Sequence, residues 1–330
     1  MSRSIVMVEA AATTETRKTP GDDLVLPFRT ESSGVIGRLV RLGPAIDEIL
    51  SHHAAPEAVS RALGEAVALT AMLGTALKID GKLTLQTKTD GILDFLVVSF
   101  EPPGRLRGYA RFDKKRMAEE ADDVDPAILL GVGHLAITID PGEEMDRYQG
   151  IVALEGESVG DAALSYFRQS EQLPSFLRLA VARHYTAGEN GEPGRWQWRA
   201  GGLMIQHLAR EGGSDERVVS SEEDEEIVGD ADDDWERTRI LAATVEDHEL
   251  LDPMLAPDRL LYRLFHEEGV RAFPATPVEA FCRCSRERVE AFLKSFGAAD
   301  LTDMREPDGS ISVTCEFCTK TYRFAPDEIT

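Results

Sequence analysis

Cys282-Arg283-Cys284 and, after thirty intervening residues, Cys315-Glu316-Phe317-Cys318 hold the only four cysteines of a 330-residue chain. Two closely spaced thiol pairs that a long loop can bring together supply four soft donors, the set a tetrahedral structural zinc prefers. A site with four protein ligands leaves no open position for a metal-bound water, so it points to a staple and not to metal catalysis. Four inert thiols, or two disulfides of a secreted protein, are the other ways to read the pattern.

Working outward from this module, Pro274 and Pro277 separate it from a helical stretch at 257–268. Pro257 suits a first helical turn, Gly269 suits a C-terminal cap, and Leu260, Leu261, Leu264 and Phe265 fall on one apolar stripe. Such a stripe is either core packing or a surface for a client or partner. A second helical segment is expected at 235–248. Before it lie Ser220-Ser-Glu-Glu-Asp-Glu-Glu226 and Asp230-Ala-Asp-Asp-Asp234, like-charge blocks expected to stay solvated, so 211–276 reads as an acidic, helical linker.

The first 210 residues read as an α+β domain. Alternation predicts a strand and turn region over 25–43, a short helix over 44–50 and a largely buried helix over 57–78 that starts after Pro56. Strands are expected over 82–88, 92–100, 105–112, 134–140 and 147–154, then a helix over 158–171. Strands over 176–185 and 196–199 follow, and a short apolar helix over 203–208. Several strands in a row between helices imply an antiparallel or mixed sheet and not a doubly wound one. Residues 1–23 read as a disordered tail, with no apolar block long enough for a secretory signal.

Length predicts more than one folding unit. The formal charge of -23 disfavours nucleic acid or an anionic membrane surface as partner, because the summed field repels phosphate. No apolar run approaches the roughly 18 residues of a membrane span. Without an export signal a cytoplasmic location is expected, where thiols stay reduced and serve metals or redox sensing.

Three motifs invite other readings. Gly156-Glu-Ser158-Val-Gly160 fits a hydrolase nucleophile elbow between strand and helix, yet Ser158 and Asp161 also form a helix-capping box. Gly131-Val-Gly133-His-Leu-Ala136 precedes the strand that a dinucleotide fingerprint must follow. Asp230-Ala-Asp232-Asp-Asp234 begins like a calcium loop but has Trp235 where glycine is required.

Phe281-Cys-Arg-Cys-Ser-Arg-Glu-Arg288 and Cys315-Glu-Phe-Cys318 followed by Tyr322-Arg-Phe324 resemble the zinc module of the redox-regulated 33 kDa heat-shock chaperonin family of bacteria. Tyr148-Gln-Gly-Ile-Val-Ala-Leu-Glu-Gly156, Tyr166-Phe-Arg-Gln-Ser-Glu-Gln-Leu-Pro174, Ala200-Gly-Gly-Leu-Met-Ile-Gln206 and Leu261-Tyr-Arg-Leu-Phe-His-Glu-Glu268 are similar to the same family, so the likeness spans about 22–328. The resemblance implies an ATP-independent holdase and not an enzyme, inactive when reduced and loaded with one Zn2+ on Cys282, Cys284, Cys315 and Cys318. It also implies activation by disulfides between near neighbours, Cys282 with Cys284 and Cys315 with Cys318, with zinc loss, dimerisation and binding of unfolded client proteins.

A module of about fifty residues is too small for an adequate core, so its folding and its metal are one event, and loss of the metal is expected to free the linker helices and their stripe. Arg283, Arg286, Arg288, Lys320 and Arg323 lie near the cysteines in sequence and would favour thiolate if they are also near in space. Thr319 stands where related modules often have glycine. A zinc-stapled regulatory protein without holdase activity, or a serine hydrolase using Ser158, are the competing functions.

Overall fold

A computed structural model describes residues 21–77, 80–120, 124–142, 146–188, 193–207 and 227–329. The residues expected to form the tail, up to 20, and the acidic block at 220–226 lie outside these.

In chain order the first elements are β1 (Leu24–Thr30), β2 (Ile36–Leu42), α1 (Pro44–Ser51) and α2 (Glu57–Gly74). Then come β3 (Lys82–Thr89), β4 (Phe95–Glu101), β5 (Arg105–Arg111), the short helices α3 (Lys114–Ala118) and α4 (Pro126–Leu129), β6 (Val132–Asp140) and β7 (Tyr148–Glu155). α5 (Val159–Tyr166) is followed by a π turn and by β8 (Ser175–Thr186) and β9 (Arg195–Gln206). The linker supplies α6 (Ile227–Ala243), α7 (Asp247–Leu251) and α8 (Pro257–Phe265), and then β10 (Val270–Ala272), β11 (Thr276–Pro277) and β12 (Glu279–Ala280). The C-terminal module holds α9 (Arg286–Leu293), α10 (Ala298–Asp303), β13 (Ile311–Thr314) and β14 (Thr321–Phe324).

The strands make two large sheets. One has the order β10-β1-β2-β9-β8 with β11 also on β1, all antiparallel; the other runs β12-β5-β4-β3-β6-β7 and is antiparallel except for the β12–β5 pair. The expected mixed α+β architecture is therefore present. α2 lies between the sheets, and fourteen of its eighteen residues are buried, because it must meet apolar side chains on both sides. Val40, Leu42 and Met204 of the first sheet and Leu83, Leu85 and Val98 of the second share one core with Leu63, Val67 and Met72 of the helix. A Cβ on Gly64 would come within 2.8 Å of Val181, so the missing side chain is what lets α2 approach β8.

Two expectations need correction. Residues 203–206 continue β9 and do not form a helix; Leu208 lies outside the described residues. The run reads as unpatterned because Leu203, Met204 and Ile205 are all buried, the first sheet being covered on both faces, so the alternation that marks a half-buried strand is lost. Residues 230–234 lie inside α6. The segment expected over 235–248 is two helices, since a capping box between Glu246 and Glu249 starts α7 anew.

The second face of the first sheet carries the linker. Leu260, Leu261, Leu264 and Phe265 are fully buried there against Leu26, Phe28, Leu39, Leu203 and Ile205. Phe265 stacks on Phe28 with ring centroids 5.4 Å apart. Arg237 pairs with the buried Glu268 at 2.6 Å, and Thr238 shares a 2.9 Å hydrogen bond with Ser33, which fastens α6 to the β1–β2 turn. The stripe thus docks on the core sheet, the core-packing alternative of the two that the sequence offered. No described helix is long and apolar enough to cross a membrane.

Candidate metal centre

Residues 270–281 form a strap from the linker to the cysteines. β10 and β11 pair with β1, the Val278 amide donates to the Asp23 carbonyl at 2.8 Å, and the Glu279 and Phe281 amides donate to the Gly104 and Leu106 carbonyls, each at 2.8 Å. The strap therefore joins both sheets and delivers Cys282 beside β5.

From there two knuckles fold together. Ser285 caps α9 by accepting from the Arg288 amide at 3.3 Å, and the β13–β14 hairpin pairs Thr314 with Thr321 so that Cys315 and Cys318 sit at its closed end. In that turn the Cys315 amide donates to the Lys320 carbonyl at 3.0 Å, and the Thr319 amide donates to the Cys315 carbonyl at 2.8 Å. All four Sγ atoms lie within 4.8 Å of one another, and all four thiols are free. Two separations join the pairs crosswise, Cys282 to Cys315 at 3.6 Å and Cys284 to Cys318 at 3.2 Å.

A tetrahedral zinc with bonds of about 2.3 Å needs sulfurs about 3.8 Å apart, so the four donors fit the ion in kind and spacing. When bound, zinc supplies the positive charge that lets four adjacent thiolates coexist. Without such a charge the thiols resist joint ionisation. Burial pushes the Cys282 and Cys318 thiols above their ordinary value; burial acts the same way on Cys284, but hydrogen bonds from Tyr322 and from the neighbouring thiols bring it down to about 7. The Tyr322 hydroxyl donates to Cys284 Sγ at 3.3 Å.

Of the basic residues near the cysteines in sequence, Arg288 donates to the Arg283 carbonyl at 3.0 Å inside the first knuckle, while the others are engaged elsewhere. Arg283 pairs with Glu101 at 2.6 Å, Arg286 with Glu328 at 2.7 Å, and Arg323 with Asp308 and, at 3.5 Å, Glu306, while Lys320 lies over the Tyr322 ring. Tyr322 carries no local motif that marks it as a thiol partner; its inward place in the β14 alternation is the only sequence signal for that position.

The module core is small: Leu293, Leu301, Ile311, Tyr322, Phe324 and Ile329, with Cys284 packed against them. The module meets the rest of the chain through both knuckles, Arg283 of the first on Glu101 and Phe317 of the second on β5. Phe317, between two of the thiols, lies under the Arg107 guanidinium at 4.4 Å and beside Tyr109, whose hydroxyl reaches Glu316 at 3.4 Å. Arg105 lies 4.4 Å over Phe281. Nothing in the local sequence of β5 announces these contacts, since they join residues about two hundred positions apart.

Ser158 serves as the N-cap of α5: its hydroxyl accepts from the Asp161 amide at 3.2 Å and donates to the Asp161 carboxylate at 2.7 Å. The serine half of the expected capping box is present, while the Asp161 carboxylate accepts the hydroxyl itself.

Thr319 has φ of 55°, the left-handed region that a β-branched residue resists. Thr319→Gly is expected to relieve about 1 kcal/mol of strain and to slow zinc loss to a chelator several-fold, followed with a colorimetric zinc indicator. An unchanged or faster loss would show that the turn stores no strain that opposes the ion.

A model of the family described as Hsp33 protein matches residues 23–325. The 33 kDa chaperonin of Caulobacter vibrioides is 42% identical over 308 residues, covering 92% of this chain and 95% of that protein. That of Shewanella loihica is 33% identical over 302 residues, covering 92% of each. A crystal structure of the 33 kDa chaperonin homologue from Thermotoga maritima shares the fold, with a TM-score of 0.66 at 20% identity and coverage of 93% of this chain and 96% of that one. With a family match across nearly the whole chain and relatives of this similarity, the chain belongs to the Hsp33 family of heat-shock chaperones.

Proposed function

We propose that the chain is a redox-regulated, ATP-independent holdase of the cytoplasm, inactive when reduced and zinc-loaded and active once Cys282, Cys284, Cys315 and Cys318 are oxidised. The observation that carries this reading is the strap: the four-thiol cluster lies at one end of residues 270–281, and the buried stripe of Leu260, Leu261, Leu264 and Phe265 lies just before the other. On this reading 24–210 is the core, 211–276 the releasable linker and 277–330 the switch.

Each neighbour pair passes two electrons to the oxidant, a peroxide reduced to water, and closes a disulfide, Cys282 with Cys284 and Cys315 with Cys318. These close only tiny loops and leave the two pairs unconnected, so the tie across the thirty-residue loop is lost. Crosswise disulfides would preserve that tie, and the proximity of Cys282 to Cys315 and of Cys284 to Cys318 makes the pairing the decisive chemistry. With the module open, the Phe317 contacts on β5 and the strap's pairing have nothing to hold them, and the stripe leaves the sheet to meet unfolded clients. The oxidised form is expected to dimerise. The net charge of -23 helps keep it soluble.

The test is suppression of aggregation of a heat-unfolded client by reduced and by peroxide-treated protein, with zinc release followed in parallel and disulfides mapped by mass spectrometry. Suppression by the oxidised form alone, with neighbour disulfides, is expected. Equal behaviour of the two forms, or crosswise pairing with retained activity, would overturn the reading; one preferred partner without general suppression would mark a zinc-stapled interaction protein instead.

A further inference from the structure

Under the linker the first sheet carries two buried arginines that apolar docking does not require. Arg41 on β2 is 1% exposed; its Nη2 donates to the Glu249 carbonyl at 3.1 Å and its Nη1 to the Leu255 carbonyl. Arg199 on β9 donates from Nε to the Leu251 carbonyl at 2.7 Å. Three carbonyls of α7 and of the turn into α8 thus converge on two guanidiniums. Asp22, with its side chain 2% exposed, receives Arg199 in a fork at 3.0 and 2.5 Å. Burial pushes Arg41 below its ordinary value, with Asp22 opposing and the Arg199 charge adding to it.

The next residue faces the strap. The Asp23 carbonyl accepts from the Val278 amide, and its carboxylate accepts from the Gly43 and Ala45 amides at 2.9 and 3.1 Å. On the other side, a Cβ on Gly21 would stand 3.1 Å from the Pro257 ring at the start of α8. Residues 21–23 therefore touch both the strap, four residues before Cys282, and the linker.

We propose that Arg41 and Arg199, with Asp22 on the core side and Asp252 on the linker side as counter-charges, are a polar latch that fastens the turn between α7 and α8 to the core and couples it, through residues 22 and 23, to the strap. Apolar contact alone is non-directional, whereas guanidinium donors fix the linker in one register. The latch is also abrupt. A buried guanidinium stripped of its acceptors or of its counter-ion cannot stay buried, so movement of the strap that shifts Asp22 takes Arg199 out of its ion pair and leaves the two guanidiniums with one acid fewer between them. Arg41 and Arg199 are positioning residues in this account. The proposal rests on the reading that linker release matters for function, but its test does not use chaperone activity.

The test is amide hydrogen exchange of the full-length, reduced, zinc-loaded protein, comparing wild type with Arg41→Met, Arg41→Lys and Asp22→Asn. Arg41→Met is expected to speed exchange over 247–265 at least tenfold while α2 and the zinc content stay unchanged. Arg41→Lys should fall between, since an ammonium still reaches one carbonyl. Asp22→Asn should act in the same direction as Arg41→Met, although its partners are on the core and not on the linker. Unchanged linker exchange in both Arg41→Met and Asp22→Asn would overturn the proposal. So would acceleration spread equally over α2, which would make the pair a support of the whole core. Failure of the oxidised wild type to hold clients would sink the functional reading and leave these exchange results standing.

Discussion

Cys282→Ser is expected to abolish stable zinc binding and to unfold residues 282–329 while the two-sheet core stays intact. The energetic basis is the disproportion between the metal and the module it organises. Structural zinc contributes about 10–16 kcal/mol in small zinc-finger peptides. Against that stand six buried side chains and a hairpin of two four-residue strands, far less than an independent domain of this size requires. A serine hydroxyl is a poor replacement for one of four thiolates, so the ion loses a ligand and the module its tie. Zinc stoichiometry and amide exchange measured together check this. Full stoichiometry, or a protected β13–β14 hairpin without zinc, would show that the module stands on its own packing.

Phe28→Ala is the second large effect, and it acts from the opposite side. Phe28 is buried on β1 and stacks on Phe265, so its truncation removes the sheet's aromatic contact with the linker while leaving Leu260, Leu261, Leu264 and Phe265 intact. Burying those four side chains contributes about 6–12 kcal/mol before the entropy of ordering the linker is subtracted. Loss of a buried Phe costs about 3–5 kcal/mol, enough to offset much of the remainder. The reduced, zinc-loaded variant is therefore expected to be cleaved by protease within α6 to α8 and to suppress client aggregation without oxidation. A variant that is cleaved in the linker yet holds no client would remove the stripe from the client-binding role; one that is neither cleaved nor active would show that docking does not depend on this contact.

The parts of this arrangement legible in sequence are those set by local spacing. Cysteine pairs, the stripe of α8, the capping serine of α5 and the alternation of β3 each express a period or a motif within a few residues. Residues 203–206 misled because a strand covered on both faces shows no period of two. What sequence could not place was decided at long range. The stripe's partner is the first sheet and not the module because β10 and β11 extend that sheet immediately after α8, a choice made by pairing with β1 some 250 residues earlier. Arg41 and Arg199 likewise read as ordinary strand arginines until the linker closes over them, and Phe317 reads as a spacer until Arg107 and Tyr109 meet it.

The most direct measurement of the switch is hydrogen exchange of the wild-type chain followed by mass spectrometry while peroxide is added, with zinc release recorded on the same sample. The account predicts that protection is lost first over 282–329 in step with zinc, then over the strap and 247–265, while α2 keeps its protection throughout. Protection of 247–265 that survives complete zinc release and disulfide formation would contradict it.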